Sequence, residues 1–453
     1  MQTFSASAAS RSWWATAEKR WSLAEFISLR YMLLRAWTAG GGLLSGLVQT
    51  FVFARILEPK LFSMFILVGV LGTTTWLFDL GFSRILFVNL RSRFLAGEDT
   101  LPIGTQVNVL ASFYAGAITV IAIVCFAIMA LQPEVSVSRA AELGLFFFFS
   151  AFGLTWFVFR NACIAVNEYI YFETLESCRR LGYIAMLLLL LVGLPLPQFL
   201  VLINLSWPVL IVFAARKLIK RRAFTPELTG HWRRLCDFFR ENRAAAVRTG
   251  THSAGEAYLH AVLYLAVPLI FGLGSPTIVL DTTLKIFFGA LTLCTAACDL
   301  LVPRQTAAYA ARDRRALVRA TVMAIELSAL PTLAITALLL LDAKRLFALL
   351  LGHAAVMPAS ITPLLFVLMT AGVMKTAPNF LLQYTGYFKA IARLSVVNAI
   401  IVTTAMLAGL LSHVDMVGLL RLYAGAFIII ALLYLGVAVR GPIRDAYKAA
   451  SQS

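Results

Sequence analysis

The chain has 453 residues, of which 60% are hydrophobic and only 13% charged. A single soluble core cannot bury that much apolar side chain beneath a polar surface, so a water-soluble globular fold is excluded and lipid is the required solvent. The net charge of +17 is spread over many loops rather than gathered into one basic domain, which argues against a nucleic-acid-binding surface.

Residues 1-33 are polar and aromatic, with Arg11, Trp13, Trp14, Lys19, Arg20 and Trp21. They carry no cleavable secretory signal and read as a cytoplasmic helix lying in the membrane interface. From residue 34 onward apolar stretches recur. A hydrocarbon core about 30 Å thick takes roughly 20 residues of helix per crossing, and in lipid the backbone polar groups have to be satisfied within the segment. Twelve transmembrane helices are predicted on that basis, at 34-57, 61-80, 107-131, 142-165, 180-195, 198-216, 250-273, 277-300, 317-341, 360-384, 390-411 and 416-439. Barrel strands would alternate apolar with polar residues over about ten positions, and these stretches do not. The expected fold class is an all-α polytopic membrane protein.

Basic residues orient it. The N-terminus, 84-106, 160-180, 216-249, 304-319, 389-393 and 440-453 together hold thirty-one of the 39 Lys and Arg, with Arg35 counted among them. That side is expected to be cytoplasmic, with both termini on it. The six cysteines, Cys125, Cys163, Cys178, Cys236, Cys294 and Cys298, all avoid the predicted outer loops. They read as packing residues rather than as a disulfide framework or a metal site.

The longest inner loop, 217-249, separates an N-terminal lobe at 34-216 from a C-terminal lobe at 250-439, each of six helices, with a cytoplasmic tail at 440-453. Basic runs such as RKLIKRR and HWRRLCDFFRENR suit this loop to a connector lying against an anionic inner leaflet. The second helix ends in Asp79 and Arg84 and the eighth in Asp299 and Arg304, the same five-residue separation recurring 220 positions later. Two parallel six-helix repeats around a central cavity would give this spacing.

Residues 51 to 91 run from Ala54, Arg55, Ile56, Leu57 and Pro59 through Phe62 and Phe65 to Asp79, Leu80 and Gly81. This pattern resembles the first hairpin and second helix of the polysaccharide flippase branch of the multidrug, oligosaccharidyl-lipid and polysaccharide exporter superfamily. Glu58 and Ser63 stand where that branch more often has glycine. Pro303 with AAYAARDRRAL is similar to the branch's link between eighth and ninth helices. LLLGHAAVMPASITPLLF, QYTGYFKAIARLSVVNAI and DMVGLLRLYAGAF look like its last three helices. The resemblance therefore follows most of the chain in order. It implies a multi-pass protein of the bacterial cytoplasmic membrane.

Ionisable side chains inside a bilayer mark a pathway, a binding site or a buried pair. Lys375 lies near the middle of the tenth helix, and Asn379 and Gln383 follow at four-residue spacing beside Pro378. This polar stripe is expected to face the lumen between the lobes, where Lys375 either attracts an anionic diphosphate or pairs with a carboxylate to lock helices together. Glu256 and His260 share one face of the seventh helix, continued by Tyr264. They are candidates for ion coupling by proton exchange, or alternatively an interhelical hydrogen-bonding pair. In the first lobe the polar set is Gln49, Thr73, Thr74, Thr75, Trp76, Trp156, Arg160 and Asn161. Arg160 and Arg84 are positioned either to bind phosphate bidentately or to snorkel to the inner surface. Gly40, Gly41 and Gly42 read as a site of close helix packing, or of a bend, rather than as a phosphate loop. Asp281 and Lys285 form an i, i+4 salt bridge, and Asp79 and Asp299 cap or pair at the inner helix ends.

The resemblance implies a flippase that carries a lipid-linked oligosaccharide on a polyprenyl diphosphate from the inner to the outer leaflet. Its expected partners are that substrate, the bilayer, and a polysaccharide polymerase with its export machinery. No nucleotide motif or metal spacing is present, no cofactor is expected, and no catalytic constellation points to an enzyme. A drug or cation exporter of the same superfamily is the alternative, disfavoured because the first lobe shows no carboxylate near mid-membrane. A membrane glycan polymerase or ligase is disfavoured by the short outer loops, the longest being 342-359.

Overall fold

The computed structural model describes residues 29–133, 135–226 and 231–445, and among them every regular element is helical. The segment predicted at 1-33 lies almost wholly outside the described residues, as does most of the tail. The first lobe consists of α1 (Leu29–Ile56), α2 (Pro59–Thr74), α3 (Phe82–Ala96), α4 (Leu101–Ala130), α5 (Val137–Ala151), α6 (Gly153–Ala165), α7 (Tyr169–Leu191) and α8 (Leu196–Lys220). The second consists of α9 (His231–Phe271), α10 (Ser275–Asp299), α11 (Val302–Ala310), α12 (Arg314–Leu351), α13 (Ile361–Tyr384), α14 (Phe388–Leu411) and α15 (Met416–Ala438).

Among the described residues, 11 segments are long and apolar enough to cross a membrane. One of them joins α5 and α6 across Phe152. The remaining long helix is α7, whose 23 residues extend about 35 Å at 1.5 Å per residue. It lies between the fourth and fifth of these segments, where the fifth crossing is predicted, and it corrects the bounds of that prediction. The sequence places that crossing at 180-195, whereas the helix occupies Tyr169–Leu191. Glu173, Glu176, Arg179 and Arg180 read as loop residues by hydropathy, yet they neutralise one another or a neighbour and the helix carries them inside. The linker differs as well. Rather than a connector over 217-249, the stretch from His231 is the first part of α9, continuous with the seventh crossing. Its Phe238 and Phe239 pack on Phe82 of α3, with ring centroids 5.6 and 4.4 Å away, so apolar side chains, not lipid charge alone, hold this basic segment to the first lobe.

Local chemistry sets the helix ends. Ser136, Asp313 and Asp415 accept hydrogen bonds from the backbone amides of Arg139, Ala316 and Gly418, as N-caps do. After α2 a 3₁₀ turn, Thr75–Asp79, is stopped by Leu80 and Gly81, both left-handed at φ 44° and 81°. Glycine adopts that conformation without steric cost, which is why the Asp-Leu-Gly sequence redirects the chain into α3. The Asp79 carboxylate accepts from the Ser83 amide at 3.0 Å and from Tyr114 Oη at 2.9 Å. In the second lobe α10 ends at Asp299 and a short helix, α11, again follows. The repeat read from the Asp and Arg pairs thus has a counterpart in the chain path.

Helix α1 packs on α7 within its lobe and on α10 across the lobe boundary, α2 packs on α5, α9 on α14 and α13 on α15. Small residues let these backbones approach. Around Gly42, a methyl group would sit 2.8 Å from Arg180 Nη1, consistent with the packing role read for the Gly40 to Gly42 run. At Gly72 of α2 it would lie 3.0 Å from the Phe147 carbonyl and 3.1 Å from the Ala151 nitrogen. Gly72→Ala is therefore expected to destabilise the α2–α5 contact by about 1–3 kcal/mol. Thermal unfolding of the detergent-purified protein checks this against Gly116→Ala, whose added methyl meets nothing within 4 Å.

Candidate functional site

A cavity of about 770 Å³ lies between the lobes. The first lobe lines it with Gln49, Thr73, Thr74, Trp76 and Arg84, and the second with His252, Glu256, His260, Tyr264, Asp281 and Lys285. Of the residues singled out from sequence, Gln49, Arg84, Glu256 and His260 thus come together on its wall. At one end of it, Lys285 Nζ is 2.6 Å from Asp281 Oδ2 and donates to Thr50 Oγ1 of α1 at 3.1 Å. Tyr264 Oη donates to Asp281 Oδ1 at 3.2 Å. The expected i, i+4 salt bridge is therefore formed, and it also ties α10 to α1.

Lys375 turns away from the lumen that the stripe is expected to face. It is buried within the second lobe, with its ammonium 2.5 Å from Glu256 Oε2 and over the rings of Phe427 and Tyr434 at 5.4 and 5.7 Å. The reason is local: Glu256 on α9 offers an ion partner, and two aromatic faces favour a cation. The carboxylate side chain keeps 23% exposure against 6% for the lysine, so Glu256 stands on the cavity wall with Lys375 behind it. His260 presents its ring to Phe288, 4.0 Å between centroids.

Trp156 also departs from its expected place. It is buried among Phe172 and Trp207 and donates its indole N–H to Glu176 Oε2 at 2.9 Å. Glu176 additionally pairs with Arg179 at 2.6 Å and Arg180 at 2.9 Å. Glu173 accepts from Thr38 Oγ1 at 2.6 Å and faces Arg35 at 3.5 Å, and Arg35 reaches Asp299 of the second lobe at 3.1 Å. The first lobe thus buries two carboxylates in the first turns of α7, Glu173 and Glu176, and both are matched by guanidinium groups. Arg160 lies beside this cluster, 6.0 Å from the Phe157 ring, and is not part of the cavity wall.

At the opposite end, Arg84 Nη1 donates to Gln383 Oε1 at 3.2 Å, joining α3 to α13 across the lobe boundary. Gln383 also donates to Asn379 Oδ1 at 3.2 Å and lies 3.2 Å from His252 Nε2. The stripe from Lys375 to Gln383 thus changes role along its length, from an internal ion pair to an interlobe contact. His252 was not identified from sequence, although it stands one turn before Glu256 on the same helix face, the signal that would have found it.

A second cavity, of about 860 Å³, lies between α2, α9 and α14. Its wall is almost entirely apolar, with Leu67, Leu71, Leu265, Leu269, Val396 and Ile400. It shares Val70, Thr74, Ala257, Ala261 and Tyr264 with the central cavity. Polar and apolar spaces are therefore neighbours across one helix–helix seam.

Comparison with solved structures gives matches along nearly the whole chain. A multidrug resistance MATE family transporter of the MOP superfamily in its outward-facing conformation superposes with a TM-score of 0.66 at 15% identity, over 93% of this chain and 96% of that one. The fold is that of the MATE transporters. A multidrug resistance MATE transporter of the same superfamily in an inward-facing conformation gives a TM-score of 0.58 at 16% identity, over 92% and 96%. A MOP superfamily transporter from Pyrococcus furiosus gives 0.65 at 15% identity, over 92% and 96%. No family model and no curated protein matches the sequence.

On this MATE-like framework the Glu256–Lys375 pair is open to test. Lys375→Met leaves a carboxylate without its ion partner and is expected to destabilise by about 3 kcal/mol, because breaking a buried pair costs about 3–5 kcal/mol and Glu256 is partly open to the cavity. Glu256→Gln combined with Lys375→Met is expected to regain most of that stability in thermal unfolding.

Proposed function

We propose that the protein is a flippase for a lipid-linked oligosaccharide, belonging to the polysaccharide branch of the superfamily whose fold it shares. The observation that carries this reading is the adjacency of the two cavities. A polar space between the lobes shields a sugar and diphosphate from hydrocarbon, while the apolar seam between α2 and α9 lets a polyprenyl chain remain in lipid. Substrate, bilayer and cavity then meet at one seam, and rocking of the lobes exposes the head group to each side in turn. The orientation that fits has both termini in the cytoplasm of a bacterium, with a polymerase and export machinery acting downstream of the delivered lipid.

Charge favours an anionic head group. Glu256 is matched by Lys375 and Asp281 by Lys285, whereas Arg84, among the described residues, is held by the neutral Gln383. A guanidinium without a carboxylate retains its capacity to bind phosphate through two parallel N–H bonds. Gln49, Thr73 and Thr74 supply hydrogen-bonding groups for sugars on the facing wall. Lys375 acts through Glu256, holding it charged and in place. Export of an organic cation is the second reading, favoured by the two carboxylates on the wall, but such a cargo has to displace a lysine from either of them.

Deletion of the gene is expected to accumulate lipid-linked oligosaccharide on the inner leaflet and abolish surface polysaccharide. The wild type restores export, Arg84→Lys restores part of it, and Arg84→Gln lowers it at least tenfold with normal membrane abundance. Intact surface polymer, no accumulating intermediate and a new sensitivity to lipophilic cations would overturn the proposal in favour of cation export.

A further inference from the structure

The inner end of the cavity contains a chain of hydrogen bonds whose directions follow from one another once the Arg84 guanidinium fixes the orientation of the Gln383 amide. Ser395 Oγ donates to the Ile391 carbonyl at 3.0 Å, so it presents lone pairs to His252 Nδ1, 3.0 Å away. His252 Nδ1 therefore carries the proton, and Nε2 is left to accept from Gln383 Nε2. The second hydrogen of that amide goes to Asn379 Oδ1, and Gln383 Oε1 accepts from Arg84. A neutral imidazole is the one form compatible with this arrangement. Arg84 belongs to the first lobe and the other four residues to the second.

We infer that His252 is a proton-binding site that operates the contact between the lobes. A proton taken up at Nε2 turns that atom into a donor facing the donating amide of Gln383. Hydrogen bonding is recovered if the amide rotates, but rotation points its NH₂ group at the Arg84 guanidinium and places two carbonyl oxygens, those of Gln383 and Asn379, against each other. The Arg84–Gln383 link is lost either way. The charged groups facing His252 are Glu256 one turn along α9, Lys375 on α13 and Arg84 on α3. α14 presents the neutral Ser395, and Asp79, below α2, is occupied by Ser83 and Tyr114. Glu256 and Lys375 neutralise each other, so the charge that varies with lobe position is Arg84. Proton uptake and the link exclude one another, and by reciprocity separating the lobes raises the affinity of His252 for a proton. The link is present while His252 is neutral and disappears as pH falls through its titration. Because His252 lines the cavity, the proton has an aqueous route. The inference holds for any cargo and does not depend on the flippase reading.

Spin labels at Val88→Cys on α3 and Lys389→Cys on α14, both exposed positions, report the separation of the inner ends. The full-length protein is used with the exposed Cys178 and Cys236 replaced by serine. Between pH 8 and pH 5.5 the parent is expected to gain a longer-distance population at least threefold. His252→Gln, which accepts the Gln383 hydrogen bond at any pH, is expected to keep the pH 8 distribution. Gln383→Glu supplies a carboxylate that accepts from both Arg84 and a protonated His252, so its short-distance population is expected to persist at pH 5.5. A parent that does not respond, an unchanged response in His252→Gln, or opening of Gln383→Glu at low pH like the parent would each overturn the inference.

Discussion

Within hydrocarbon a charge has no water to turn to, and the architecture follows from how each one is neutralised. Desolvating an isolated ion is far more costly than a helix can compensate, so Glu173, Glu176, Glu256 and Asp281 are each met by a cation on the same helix or a neighbouring one, and Asp79 is met by the hydroxyls of Ser83 and Tyr114. Glu176 collects two arginines and an indole N–H from within its own lobe. Asp281 and Glu256 each hold one lysine, at 2.6 and 2.5 Å. These pairs determine which helix faces are turned inward, and thereby which residues remain to line the space between the lobes.

That space is asymmetric. On one side α1 lies tightly against α10, where Gly289 leaves no room for a side chain beside Leu43 and Thr50 is bound by Lys285. On the other, α2 and α9 diverge enough to leave an apolar opening to lipid. A cavity closed on both flanks would admit cargo from water alone; one open on one flank also admits an amphiphile whose tail never leaves the bilayer. Helix α9 adds a mechanical constraint. Its N-terminal half is anchored by Phe238 and Phe239 to the first lobe while its C-terminal half lines the second, so movement between lobes has to be absorbed along this helix or beside it.

The interlobe contacts at the inner end differ in kind. Arg35 and Asp299 are an ion pair, whereas Arg84 meets a neutral amide. A bond to a neutral acceptor is weaker than one between ions, and its donor can be recruited by an anionic ligand. The amide is in turn oriented by an imidazole, a group whose charge changes near physiological pH. In the proposed function and in the inferred switch, an anionic ligand and a proton act on this same contact between the lobes.

From the order of its residues alone the chain declares itself as helices in lipid, because a run of about 20 apolar residues has one stable form there. Eleven helices long and apolar enough to cross a membrane and the polar positions on α9 and α13 are legible in this way. The fifth crossing is not, because hydropathy counts Glu173, Glu176, Arg179 and Arg180 as four costs and has no means of seeing that they cancel in space. Sequence equally places Lys375, Asn379 and Gln383 on one helical stripe without saying what each one meets. Their separate roles were decided by tertiary structure: Glu256 approaches Lys375, Arg84 approaches Gln383, and His252 stands between, all across distances in sequence of more than 100 residues. Periodicity along one helix specifies a direction, and only the packing of another helix against it supplies the partner.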